Sequence, residues 1–306
     1  MLAQRLVEIL FPLFALVALG YVIGKRHRPE LSGANRLNMD VFTPALVFAA
    51  LAGRQVDVLA YLPLVLAALV LVLGSGALGW WLAHRLQEDP RTLAPPMMFN
   101  NCGNLGLPLA LLTFGEQALA PMVVLFIVSN LLHFSLGVWL LDRRARLSHL
   151  WRVPSVLAAV AGLAVGAAGW TVWPPLLTTL KMLGDISIPL MLFGLGVRLA
   201  ETPIRAWRLG VIVALARPLS GMALAAAMIG LYQLMDGAWR LEPLQAALLL
   251  LFGALPPAVL NYLFAERYGQ EPDKVASIVL VGNLASVAFL PLALLSTNRT
   301  VRFRST

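Results

Sequence analysis

Ten apolar stretches, each close to twenty residues, take up most of this chain. They run over roughly 6–24, 35–52, 60–83, 93–114, 119–141, 153–171, 175–198, 208–232, 243–264 and 274–296. About twenty mostly apolar residues are what an α-helix needs to cross the hydrocarbon core of a bilayer. The connections between the stretches are too short to bury a core of their own. Only 12% of the residues are charged and 59% are hydrophobic, whereas soluble domains carry about 25% charged residues. The spacing therefore predicts an all-α membrane protein with ten transmembrane helices. The first stretch is expected to be a retained helix, although Phe11–Ile23 resembles the apolar part of a signal peptide. A matching first helix opens the second half at Val153.

The net charge of +8 does not point to nucleic acid, because the basic residues cluster in short loops between spans. With the N-terminus outside, the inner loops hold Lys25, Arg26, Arg28, Arg36, Arg85, Arg91, Arg143, Arg144, Arg146, Arg152, Arg198, Arg205, Arg208, Arg267 and Lys274. The outer side holds Arg5, Arg54, Arg240, Arg299, Arg302 and Arg304. That is 15 against 6, with Lys181 and Arg217 inside spans. The imbalance supports both termini outside and the Asp142–Arg152 link inside. The single cysteine, Cys102, excludes a disulfide framework and a cysteine-rich metal site, and is read as a packing residue. His27, His84 and His149 lie in or near loops, so no metal cluster is expected, and no cofactor. Trp80, Trp81, Trp151, Trp170, Trp173, Trp207 and Trp239 fall near span ends, where an aromatic belt belongs.

A pattern that occurs twice divides the chain. Arg36-x3-Asp40-x3-Pro44 opens the second span, and Lys181-x3-Asp185-x3-Pro189 sits in the seventh. Five helices per half turn the second half over, so the expected architecture is a 5+5 inverted repeat over residues 1–146 and 147–306. Such repeats are common in secondary transporters. The fourth and ninth spans agree as well. Both carry Gly, Pro and Asn in mid-span and end on Phe114-Gly115-Glu116 or Tyr268-Gly269-Gln270. Pro removes a backbone donor and Gly weakens the helix, and the freed groups must find partners within the protein. Interrupted helices at matching places mark a carrier's binding site.

The run Asn101-Cys102-Gly103-Asn104-Leu105-Gly106-Leu107-Pro108 resembles the fourth-helix signature of the auxin efflux carrier family. That family includes the plant PIN-FORMED exporters and bacterial carriers of malonate or malate. Pro256-Pro257-Ala-Val-Leu-Asn261, followed by Phe264-Ala-Glu-Arg-Tyr-Gly269, resembles its second signature. Leu183-Gly-Asp185, Pro189-Leu and Gly194-Leu-Gly196 match too, so the resemblance covers nearly the whole chain. It implies a scaffold (helices 1, 2, 6 and 7), a transport part (helices 3–5 and 8–10) and a homodimer joined through the scaffold. Substrate would bind where the broken fourth and ninth helices cross, at Asn101, Gly103, Asn104, Gly106, Pro108, Pro256, Pro257 and Asn261. The plant exporters carry proline where Asn261 stands; the amide resembles the bacterial members. The long hydrophilic loop of many plant members is here a link of about a dozen residues.

The residues fit that expectation chemically. Half-helix N-termini present N–H groups and partial positive charge to a carboxylate. Asn101, Asn104 and Asn261 add neutral donors and acceptors; their alternative role is to satisfy broken backbone or join helices. Asp185, Lys181, Asp40 and Arg36 are the coupling candidates, each cation one turn before its acid. Such pairing would keep a carboxylate ionised, so Asp40 is read as structural, and Asp185 as either structural or proton-coupling. Arg217 is read as a snorkelling or ion-paired cation rather than a substrate contact, and His133 as a helix-packing hydrogen bonder. The expected function is alternating-access, elevator-like transport of a small organic anion. A sodium-coupled carrier of the bile-acid or sodium–proton exchanger kind would predict paired acids at the crossover, where only asparagines stand. An enzyme would need a nucleophile–base set that the spans lack, and a membrane sensor or scaffold would bind without translocating.

Overall fold

A computed structural model describes residues 2–52, 59–143, 153–201, 205–235 and 239–297, without the side chains of Leu2, Ala3, Arg5, Leu59 and Thr297. Arg54, Arg144, Arg146, His149, Trp151, Arg152, Arg299, Arg302, Arg304 and the division at 146/147 lie outside the described residues. The described residues are helical, with no strand among them. In chain order the helices are α1 Leu2–His27, α2 Ser32–Leu37, α3 Thr43–Ala52, α4 Leu62–Leu86, α5 Pro90–Met98, α6 Leu107–Phe114, α7 Leu119–Leu132, α8 Val138–Leu141, α9 Pro154–Ala167, α10 Pro174–Glu201, α11 Trp207–Gln233, α12 Pro243–Ala254, α13 Leu260–Tyr268 and α14 Pro272–Thr297. Wider π turns join α2 to α3 (Asn38–Phe42), lead into α6 (Cys102–Gly106) and join α7 to α8 (His133–Gly137).

Among the described residues six helical segments are long and apolar enough to cross a bilayer: Leu6–His27, Leu62–Leu86, Glu116–Leu141, Pro174–Glu201, Trp207–Gln233 and Pro272–Ser296. They fall on the expected first, third, fifth, seventh, eighth and tenth spans. The other four expected spans are built from shorter pieces. The second is α2, a π turn and α3. The sixth is α9, whose 14 residues reach only about 21 Å at 1.5 Å each. The fourth and ninth break in the middle, α5 from α6 and α12 from α13. Each of these two leaves through a left-handed glycine, Gly115 at φ 79° and Gly269 at φ 67°, a conformation that side-chain-bearing residues avoid.

Two compact units form. The first comprises Met1–Leu62, Gly103–Ile127 and Arg146–Glu201. Within it α1 packs along α10, and α3 packs on both α9 and α10. Gly20 and Gly24 of α1 lie on the backbone of Phe193, Gly196 and Val197, where no Cβ would fit. Small residues four apart let membrane helices close to backbone contact, where dispersion rather than water drives association. Thr43 and Ser187 share a buried hydrogen bond of 2.9 Å between α3 and α10.

The second unit comprises Pro63–Cys102, Val128–Ala145 and Thr202–Thr306. Here α11 packs on α12 and α14, while α14 also contacts α5 and α13. Ala83, Leu93, Met97, Leu209, Val213 and Ile278 form a buried apolar cluster. Gly221 of α11 meets Gly253 of α12 backbone to backbone, which brings the side chain of Arg217, one turn earlier, onto the end of α12. At helix ends, cations stack on aromatic rings: Arg85 on Trp81 at 5.2 Å, Arg143 on Trp139 at 5.5 Å and Arg208 on Trp207 at 5.6 Å. Trp80, Trp81, Trp170, Trp173, Trp207 and Trp239 are all exposed.

Candidate functional site

The break of the ninth span follows from two adjacent prolines. After Ala254 the chain turns extended at Leu255 (φ −61°, ψ 144°). In a continuing helix the N–H groups of residues 256 and 257 would bond the carbonyls of Phe252 and Gly253. Pro256 and Pro257 have none to give. Two side chains supply the missing donors. Asn100 Nδ2 donates to Phe252 O at 2.7 Å, and Arg217 Nη1 donates to Gly253 O at 2.7 Å.

The fourth span breaks in a similar way, after Pro95 and Pro96, with Phe99 extended (φ −103°, ψ 107°). The two extended stretches then pair antiparallel, with Asn100 opposite Pro257. Asn101 N donates to Pro256 O at 2.7 Å, and Ala258 N donates to Phe99 O at 2.9 Å. Each break satisfies backbone that lipid could not. Side-chain amides complete the arrangement. Asn261 Nδ2 donates to Phe99 O and Ala258 O, both at 2.9 Å. Asn283, from α14, accepts from Asn101 Nδ2 at 2.9 Å and donates to Pro257 O at 3.0 Å and Val279 O at 2.8 Å. All four asparagines are buried. The Oδ1 atom of Asn100 has no partner, a costly state for a buried acceptor, whereas the Asn261 side chain has His133 as its neighbour.

The structure thus brings Asn101, Pro256, Pro257 and Asn261 together in the second unit. Gly103, Asn104, Gly106 and Pro108 fall in the first unit, on the π turn Cys102–Gly106 and the first turn of α6. The N–H groups of Asn261, Tyr262 and Leu263, at the start of α13, turn back on Ala258 and Val259. They are therefore occupied within their own turn.

Three further residues belong to the arrangement. Asn100 had a signal in the sequence: Pro-Pro-x3-Asn occurs at both breaks, as Pro95-Pro96 to Asn100 and as Pro256-Pro257 to Asn261. Asn283 is a polar residue in mid-span. His133, expected to pack as a hydrogen bonder, has the Asn261 side chain as its hydrogen-bond neighbour, stacks on Phe99 with centroids 4.1 Å apart and meets Phe264 edge-on at 5.2 Å.

Arg217 departs from expectation. It neither snorkels nor pairs: the residue is 2% exposed, and among the described residues it has no ion-pair partner. The side chain is held by the carbonyl that Pro257 orphans, and its Nε has no partner.

The coupling candidates lie in the first unit. Arg36 Nε and Asp40 Oδ2 approach to 3.5 Å, both well exposed. Lys181 and Asp185 make no such ion pair. They line a cavity of about 110 Å3 with Glu116, Leu46, Ala49, Ala50, Leu111 and Leu119. Cys102 is buried, as expected of a packing residue.

In the second unit a polar network ties the start of α5 to the start of α14. Asp89 caps α5 through Arg91 N at 2.8 Å and pairs with Arg91 Nη2 at 2.8 Å. Gln270 Nε2 donates to Asp89 Oδ2 at 3.0 Å and to Thr92 Oγ1 at 2.9 Å, and Thr92 Oγ1 donates to Glu271 Oε2 at 2.6 Å. Lys274 bridges Glu88 and Glu271, each at 2.6 Å. The hydrogen bond from Arg91 holds Asp89 below the usual carboxylate range. Burial acts to raise Glu271, but the hydrogen bonds from Lys274 and Thr92 outweigh it and lower it.

Known proteins agree with the sequence motifs. The family described as "Membrane transport protein" matches residues 5–150 and 143–294. A protein of Rhizobium meliloti (strain 1021) named "Putative malonate transporter" is 24% identical over 301 residues, covering 92% of each chain. The chain belongs to the membrane transport protein family, the auxin efflux carrier family whose helix signatures its fourth and ninth spans resemble.

Proposed function

We propose that this chain is a secondary carrier of a small organic anion, a carboxylate of malonate's class, with its substrate at the paired breaks of the fourth and ninth spans. The observation that carries the reading is the pairing itself: two proline-broken helices joined in a buried interior, ringed by asparagines, with the oxygen of Asn100 left unpartnered. Irregular backbone at membrane depth is tolerated where it is buried in protein or lines a path for solute. The name of the Rhizobium relative supports a dicarboxylate.

The proposal includes a ten-helix, 5+5 inverted repeat over residues 1–146 and 147–306. The repeated Pro-Pro-x3-Asn and the two left-handed exit glycines support it. Transport is by elevator-like alternating access. The scaffold is helices 1, 2, 6 and 7, and the transport part is helices 3–5 and 8–10. The mutual packing of α1, α3, α9 and α10 supports the first, and that of α5, α11, α12, α13 and α14 the second. The chain sits in the bacterial inner membrane with both termini outside. Lys25, Arg85, Arg143, Arg208 and Arg267, all assigned to the inner loops, stack on aromatic rings as interfacial anchors do. Asp40 is ion-paired with Arg36 and Asp185 has no ion pair among the described residues, which makes Asp185 the candidate for proton coupling. A homodimer forms through the scaffold.

Exchange of labelled malonate in proteoliposomes tests the reading. The parent protein exchanges it, and Asn261→Ala lowers the rate at least about tenfold through the loss of a buried amide. Equal rates in the two proteins would remove Asn261 from the site.

A further inference from the structure

We infer that Arg217 is the fixed positive charge that recognises a carboxylate of the substrate, giving the site its preference for carboxylates over their neutral amides. The inference rests on the carrier reading above and adds to it the group that selects charge.

An ionisable residue inside a membrane protein is costly to keep and is retained where it serves a solute or a partner. Most such cations pair with an acid or reach toward the headgroups. Arg217 does neither. It is 2% exposed, and among the described residues the only hydrogen bond of its side chain is to Gly253 O. That bond answers a structural need, because Pro257 leaves Gly253 O without a backbone donor. A neutral amide would meet the same need, as Asn100 does for the neighbouring carbonyl of Phe252. The structural need therefore explains one N–H but not the charge.

The partial negative charge at the end of α12 offsets part of that charge. The rest has no counter-ion among the described residues, and Nε is buried without a partner. A guanidinium offers parallel N–H groups that match the two oxygens of a carboxylate. Its position is fixed, since Gly221 and Gly253 meet backbone to backbone one turn further along α11. Its location is the asparagine cluster itself: Arg217 and Asn100 hold successive carbonyls of one turn. Burial is no obstacle in a carrier, whose site must be shut off from water in at least one state of its cycle.

The test compares malonate with malonamide, which keeps the shape and carries no carboxylate. Binding of each to the purified full chain is measured for the parent, Arg217→Gln and Arg217→Lys. Gln can still donate to Gly253 O, and Lys keeps the charge. The parent should prefer malonate by about ten- to a hundredfold, the range for a charged hydrogen bond. Arg217→Gln should bind both ligands alike, at malonamide's parental affinity, which also shows that the variant is folded. Arg217→Lys should retain part of the preference. A full preference in Arg217→Gln would overturn the inference and leave the carrier reading standing. Its loss in Arg217→Lys alone would also overturn it. A parent that binds neither ligand would overturn both.

Discussion

Replacing Asn100 with alanine removes the donor that Phe252 O receives in place of a backbone N–H. The carbonyl is buried beside a 4% exposed side chain, and its bond from Asn100 Nδ2 is short, at 2.7 Å. Pro256 offers no N–H to replace it, and no lipid group can. A buried acceptor left unpaired costs about 1–3 kcal/mol, so the folded protein should lose that much stability. The unpartnered Oδ1 of Asn100 leaves with the side chain, which places the expected loss near the lower half of the range. Asn100→Asp is the sharper comparison. It keeps the size but replaces the donor with an acceptor facing Phe252 O, so its loss should exceed that of alanine. The assay is denaturant unfolding of the purified protein in mixed micelles, with midpoint and slope compared across the three proteins. A loss below about 0.5 kcal/mol in Asn100→Ala, or an Asp variant as stable as the parent, would refute the idea that this amide holds the break together.

Gly221→Val should be more damaging than a surface change, because its Cβ would lie 2.6 Å from Arg217 Nη1 and closer still to Gly253 O. Overpacking against backbone costs about 1–3 kcal/mol or more, read as a lowered folded yield on size exclusion; a normal yield would contradict the close crossing. The network at the starts of α5 and α14 predicts a pH dependence. Asp89 and Glu271 are depressed from ordinary values of 3.8 and 4.5, so their contribution is complete above those values and is lost as the pH falls through the lower folded ones. Thermal melting from neutral pH to about pH 3 should show this acid limb, and Asp89→Asn with Glu271→Gln should flatten it while lowering the neutral melting point. An unchanged acid limb in the double variant would contradict the assignment.

The long helices were legible because apolar length alone decides them. All six that are long enough to span fall on expected spans. The sequence also marked where the fourth and ninth spans break, since Pro and Gly act locally. Less legible was which donors would answer the breaks. Asn100 and Asn101 are adjacent, and only the pairing with residues 255–258 assigns one to Phe252 O and the other to Asn283. Arg217 lies about forty residues before Pro257, so its bond to Gly253 O depends on how α11 crosses α12. Lys181 and Asp185 have the same spacing as Arg36 and Asp40, yet only Arg36 and Asp40 close into an ion pair. Spacing gives a shared helix face but does not choose the rotamers.

The central claim is that the paired breaks carry an organic anion across the membrane, and counterflow tests it most directly. Vesicles holding the purified chain are loaded with unlabelled malonate, and labelled malonate is added outside, so that neither a potential nor a coupling ion has to be assumed. The account predicts saturable entry of label that unlabelled malonate suppresses and Asn261→Ala abolishes. Entry no faster than in protein-free vesicles, from a protein shown to be folded, would contradict it.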